Sequence, residues 1–74
     1  MNKRQKFNPA PGKIYENAGG GYYRCITTMG NGKALMQNTI SKWAFIAHGC
    51  GIYEDGRIDW DRSSDGRFEE GDLA

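Results

Sequence analysis

Three side chains in this sequence have the types needed for nucleophilic or metal chemistry at neutral pH: Cys25, His48 and Cys50. A thiol beside an imidazole is the pairing used by cysteine nucleophiles, and Cys/His sets are what zinc selects. A structural zinc site takes four ligands, normally from close CxxC-type pairs, and these three groups fall one short at the wrong spacing. Cys25 also takes an inward position in a strand, where a thiol behaves as a small hydrophobe. The expectation is two buried free thiols and a histidine bonded to a turn carbonyl, with no catalytic residue, metal or cofactor.

Two other patterns have a chemical alternative. Gly19-Gly20-Gly21 resembles a phosphate loop in composition, but such a loop needs Lys-Ser/Thr and then a helix, whereas Tyr22-Tyr23 and a strand follow here. Asp59 and Asp61 share one face of a strand with no third acid in register, so they read as a solvated face and not as an acid/base pair.

Binding is the chemistry that remains. Tyr15, Tyr22 and Tyr53 fall near turns, and Arg24 follows Tyr22 at a spacing that puts both on one strand face. These four are the candidate contacts for a protein or peptide partner. The charge distribution offers an alternative: residues 1–50 hold seven Lys/Arg against Glu16, and residues 51–74 hold three Arg against eight acids. Lys13, Arg24, Lys33 and Lys42 are then candidate phosphate contacts for single-stranded nucleic acid, with Tyr22 stacking a base. Mutual neutralisation of the basic and acidic parts within the fold is the plainer account of the same asymmetry.

The elements that position these residues are strands. With 74 residues the chain is one domain, too small to enclose a sizeable substrate cavity. Eleven glycines mark many turns, and two Trp, four Tyr and three Phe supply large buried areas despite an apolar fraction of 38%. No apolar run is long enough to span a membrane and no h-region follows the basic start, so a cytoplasmic protein is expected.

Asn31-Gly32 is the strongest turn signal, favouring a two-residue type I′ hairpin. It sets Met29 opposite Ala34, Thr27 opposite Met36 and Cys25 opposite Asn38, with Tyr23, Cys25, Thr27 and Met29 facing the core. A turn at Ile40-Ser41 then places Trp43 beside Asn38, Phe45 beside Met36 and Ala47 beside Ala34. Both faces of 43–47 are apolar, which predicts a central strand. Asp55-Gly56 predicts a second hairpin pairing Glu54 with Arg57 and Tyr53 with Ile58, and Asp65-Gly66 a third, with Phe68 closing the core. Trp43 and Trp60 are expected together in that core, the Trp43 indole N–H bonded to Asn38.

The fold class predicted is all-β: a small antiparallel meander of five to six short strands closing into an SH3-like barrel. Residues 1–11, with Pro9 and Pro11, read as a flexible basic arm, 12–68 as the barrel and 69–74 as an acidic tail. The stretches Trp43-Ala44-Phe45-Ile46-Ala47-His48-Gly49 and Tyr53-Glu54-Asp55-Gly56-Arg57-Ile58-Asp59-Trp60 resemble short uncharacterised proteins of Gram-positive gut bacteria and their mobile elements. That resemblance covers roughly residues 12–68 and implies bacterial origin and an accessory role. It assigns no functional residue. The function expected is a non-enzymatic protein-interaction module, with single-stranded nucleic-acid binding as the alternative.

Overall fold

The computed structural model describes residues 4–64. The expected Asp65-Gly66 turn, Phe68 and the tail 69–74 lie outside the described residues. Eight short strands and no helix are present among the described ones: β1 (Gln5–Lys6), β2 (Ile14–Glu16), β3 (Tyr22–Gly30), β4 (Lys33–Asn38), β5 (Ala44–His48), β6 (Gly51–Ile52), β7 (Ile58–Asp59) and β8 (Arg62–Ser64). They form two antiparallel sheets, a five-stranded one in the order β2-β3-β4-β5-β8 and a three-stranded one in the order β1-β6-β7. A parallel bridge between Asn17 and Ile58 links them. The protein is thus all-β, and the meander is interrupted after β5, where the chain leaves to build the second sheet and then returns to pair β8 with β5.

The Asn31-Gly32 turn forms as its residue types dictate, both positions having positive φ (55° and 74°). The register beyond it differs from the expected one. Gly30 opposes Lys33, but Thr28 opposes Ala34, Thr27 opposes Leu35 and Cys25 opposes Met36, because Met29 and Ile26 are each an extra residue on β3. Two bulges shift the pairing by two residues. Thr27 and Met29, expected inward, are exposed, whereas Cys25 stays buried.

The β4–β5 register is the expected one, with Ala34 opposite Ala47 and Met36 opposite Phe45. Trp43 does not join the core: it precedes β5, follows Lys42 at φ 66°, and is 52% exposed. Asn38, expected to accept from the Trp43 indole, instead turns its side-chain oxygen to the N–H groups of Ile40 (2.8 Å) and Ser41 (2.9 Å). Asx geometry of this kind offers the backbone a local partner that outcompetes a distant one.

The Asp55-Gly56 hairpin also closes one residue away from the expected register. The Tyr53 N–H donates to the Arg57 carbonyl, leaving a three-residue loop that ends on Gly56 at φ 89°, the geometry of a turn followed by a G1 bulge. Arg57 consequently pairs with Asp55 at 2.8 Å and not with Glu54.

Residues 4–10 are woven into the fold, contrary to the free arm expected of them. Strand β1 pairs with β6, the Phe7 N–H donates to the Cys50 carbonyl, and Pro9 is among the largest fully buried residues. Prolines have no amide donor to leave unsatisfied, so Pro9 fills core space without a hydrogen-bond penalty. The core lies between the sheets. Tyr15, Cys25, Ala34, Met36, Phe45 and Ala47 come from one face of the large sheet, and Cys50 and Ile58 come from the other side. Trp60, expected inward, is partly buried against this cluster, its ring centroid 5.1 Å from Tyr23 and 5.2 Å from Phe45.

Candidate functional site

The fold places the two thiols and the imidazole on opposite sides of the large sheet. Cys25 and Cys50 are buried in the core, and the Cys25 thiol donates to the Pro9 carbonyl at 3.6 Å. Burial pushes both thiols up, Cys50 to about 11, where the neighbouring Cys25 adds to the effect of burial. His48 follows core-facing Ala47 on β5, so its ring projects from the opposite face. There its Nε2 meets the Ser64 hydroxyl at 2.5 Å. Among the described residues no group of three His, Cys, Asp or Glu is placed to hold a metal ion. Native Cys50 is expected to alkylate slowly with iodoacetamide, since a rise from 9.0 to about 11 leaves about a hundredfold less thiolate. Addition of denaturant should restore ordinary reactivity; equal rates in both conditions would show that the thiol is accessible.

The Asn17–Gly21 turn binds its own backbone. The Asn17 side-chain oxygen accepts from the Gly19 N–H at 2.7 Å, and the Gly20 N–H donates to the Asn17 carbonyl.

Of the aromatic candidates, only Tyr22 remains free on the surface, at 55% exposure. Tyr15 is buried at 7%, edge-on to Phe7, with its hydroxyl accepting from the Ala10 N–H at 2.8 Å. The bulky ring on the middle residue of β2 faces the core because Ile14 and Glu16 take the other face. Tyr53 donates its hydroxyl to Asp59 at 2.6 Å, and that bond is the main reason its own phenol is held above its ordinary value.

Three of the acids, Asp55, Asp59 and Asp61, are paired with cations within the fold. Arg4 Nε bonds Asp59 at 2.5 Å, and its Nη2 reaches Asp61 at 3.2 Å and also donates to the Gly49 carbonyl. Burial alone would raise Asp59, but hydrogen bonds from Tyr53 and Arg4, with the Arg4 charge, outweigh it and hold the carboxyl below its usual value. Asp55 is likewise held down, first by the Arg57 N–H and then by its guanidinium. The pair expected to be a solvated acidic face is therefore the anchor of the N-terminal strand.

The cations of the large sheet have no such partners. Directly paired residues in neighbouring strands share a face, so the pairs Ile14–Arg24, Arg24–Gln37 and Gln37–Ala44 define the face opposite the core. Alternation adds Tyr22 beside Arg24, Lys33 two residues before Leu35, and His48 two residues after Ile46, while the His48–Arg62 pair brings in β8. This outer face carries Arg24, Lys33, Arg62 and His48 with Glu16 as its acid. None of the three permanent cations has a salt-bridge partner among the described residues.

Compared with family models, curated proteins and solved structures, the chain matches none.

Of the four candidate phosphate contacts, the fold brings Arg24 and Lys33 to the outer face. Lys13 lies with its ammonium 5.6 Å over the Tyr15 ring, and Lys42 sits in the β4–β5 turn, where its carbonyl accepts from Gln37. Sequence reasoning missed His48 and Arg62 as members of the face. Alternation from Ala47 was enough to place His48; Arg62 needed β8, whose pairing with β5 carries no local signal.

Proposed function

We propose that this protein is a non-enzymatic binding module that takes single-stranded nucleic acid on the outer face of its five-stranded sheet. The observation that carries the reading is charge segregation. Asp55, Asp59 and Asp61 are bound by Arg57 and Arg4, while Arg24, Lys33 and Arg62 share a face with the exposed ring of Tyr22. Aromatic rings stack on bases and a cationic surface follows the phosphates, the combination by which small β folds hold single strands. An SH3-like curling of the large sheet over the small one, a bacterial origin and a cytoplasmic setting belong to the same proposal. No helix among the described residues is long and apolar enough to cross a membrane.

Fluorescence anisotropy with a labelled single-stranded oligonucleotide tests it. Three phosphate contacts give a salt slope of about −2, so affinity should fall roughly twentyfold between about 50 and 200 mM salt. The triple variant Arg24→Gln/Lys33→Gln/Arg62→Gln should lose most binding and flatten that slope. Absence of binding at the lower salt sinks the nucleic-acid reading.

A second reading, docking of a protein or peptide, is favoured by one observation. Tyr22, Ile40 and Trp43 are 55%, 87% and 52% exposed at one end of the large sheet. Backbone hydrogen bonds from Thr39 to Tyr22 and from Asn38 to Trp43 tie their segments together. Tyr and Trp are the types that dominate binding energy at protein interfaces.

A further inference from the structure

We infer that Lys33, His48, Arg62 and Ser64 form a phosphate-binding site at one end of the outer face, with His48 at its centre. The site is built by three adjacent strands. Ala34 opposes Ala47, and the Cys50 N–H donates to the Gly32 carbonyl one step further on, so β4 and β5 stay paired past the point where Lys33 lies beside His48. His48 opposes Arg62 on β8, and Ser64, two residues on, reaches back to the imidazole at 2.5 Å. Neighbouring strands are about 4.8 Å apart, so the row presents a cation, an imidazole and a second cation within about 10 Å.

Two physical arguments make this row a ligand site. Lys33 and Arg62 flank His48 from either side, each repelling a positive charge on the imidazole, and the row has no carboxylate partner among the described residues. Asp61 adjoins Arg62 in sequence but turns to Arg4 on the other side. A bound anion would remove that repulsion. The donors also fit phosphate: a planar guanidinium for two oxygens, an ammonium for a third, and hydroxyl and imidazole N–H groups between them. The groups facing His48 are Lys33 from β4 and Arg62 and Ser64 from β8. Partial burial, then the charges of Arg62 and Lys33, lower the imidazole below its ordinary value and so favour its neutral form. A phosphate seated among them offsets the two cations and draws a proton onto His48. By reciprocity, protonation of His48 tightens phosphate.

The inference rests on the outer face being the ligand face, yet it can be tested without a nucleic acid. In the full chain, the His48 imidazole resonances are followed by NMR over pH 5 to 8 in chloride and in inorganic phosphate at equal ionic strength. Phosphate should raise the apparent His48 pKa by about one pH unit, saturably. Lys33→Gln and Arg62→Gln should each abolish that rise, and Arg24→Gln should leave it intact. A His48 titration identical in chloride and phosphate overturns the site. Oligonucleotides with a 5′-phosphate or a 5′-hydroxyl then separate the sources: a gain for the former assigns the site to a terminal monoester, and equal binding with His48 perturbed assigns it to internal diesters. Phosphate that moves His48 while oligonucleotides fail to bind upholds the site and removes the nucleic-acid reading. Oligonucleotides that bind with His48 unmoved do the reverse.

Discussion

The Met36→Ala protein is expected to be largely unfolded at room temperature, and the Trp43→Ala protein to melt as the parent does. Met36 is fully buried, lies on the middle strand of the five-stranded sheet, and stands between Cys25 on one neighbour and Phe45 on the other. Both flanking strands are paired along most of their length, so the surroundings cannot collapse into the space a shorter side chain leaves. Truncating a buried methionine to alanine costs about 2 to 5 kcal/mol, against a total near 5 kcal/mol for a domain of this size. Trp43 has the larger side chain but is half exposed and outside the core, so its removal should stay within about 0.5 kcal/mol. Circular dichroism melts of both variants decide the matter. Unfolding of Trp43→Ala with Met36→Ala unaffected would invert the assignment of core and surface at this end of the sheet.

Gly49→Ala carries the second large effect. Gly49 has φ 72°, which an L side chain adopts at a cost of about 1 to 2 kcal/mol. An added Cβ would also lie 2.8 Å from Asp61 Cγ and 3.1 Å from its Cβ. Asp61 must then move, and Arg4 loses part of the grip that ties β1 to the loop after β5. Strain and the weakened charged contact together give roughly 2 to 3 kcal/mol, a drop in Tm of roughly 10 to 20 °C. Gly56→Ala is the matched control, with φ 89° and open space around its Cβ. It should show the strain alone, about half the effect. Equal melting temperatures for the two variants would mean that the Asp61 contact contributes nothing.

What could be read from the residues was what they determine locally. Asn31-Gly32 specifies its turn through two positive φ angles, and the apolar run at 43–47 specified the β4–β5 register because Phe45 and Ala47 have to meet Met36 and Ala34. The bulges at Ile26 and Met29 were not legible, since β-branched and polar residues satisfy either alternation and only the finished sheet chooses. Tyr15 read as surface because Ile14 and Glu16 left the facing of a three-residue strand open; Phe7 and Ala10, distant in expectation, decide it. The role of Arg4 was hidden for the same reason, as a cation near a chain end finds its acids only when the end is packed. Within the candidate site, Arg24 and Lys33 came from charge pattern and alternation, and Arg62 came only from tertiary pairing.

The ion pair of Arg4 with Asp59 joins residues 55 positions apart, and this separation orders events in time as well as in space. Strands β2 to β5 follow one another through short turns and can pair as soon as each is made, with little loop entropy to overcome. Strand β1 precedes these strands in the chain yet has no partner until Gly51 and Ile52 are in place. Strand β1 therefore waits unpaired while the meander forms, and the small sheet closes last around it.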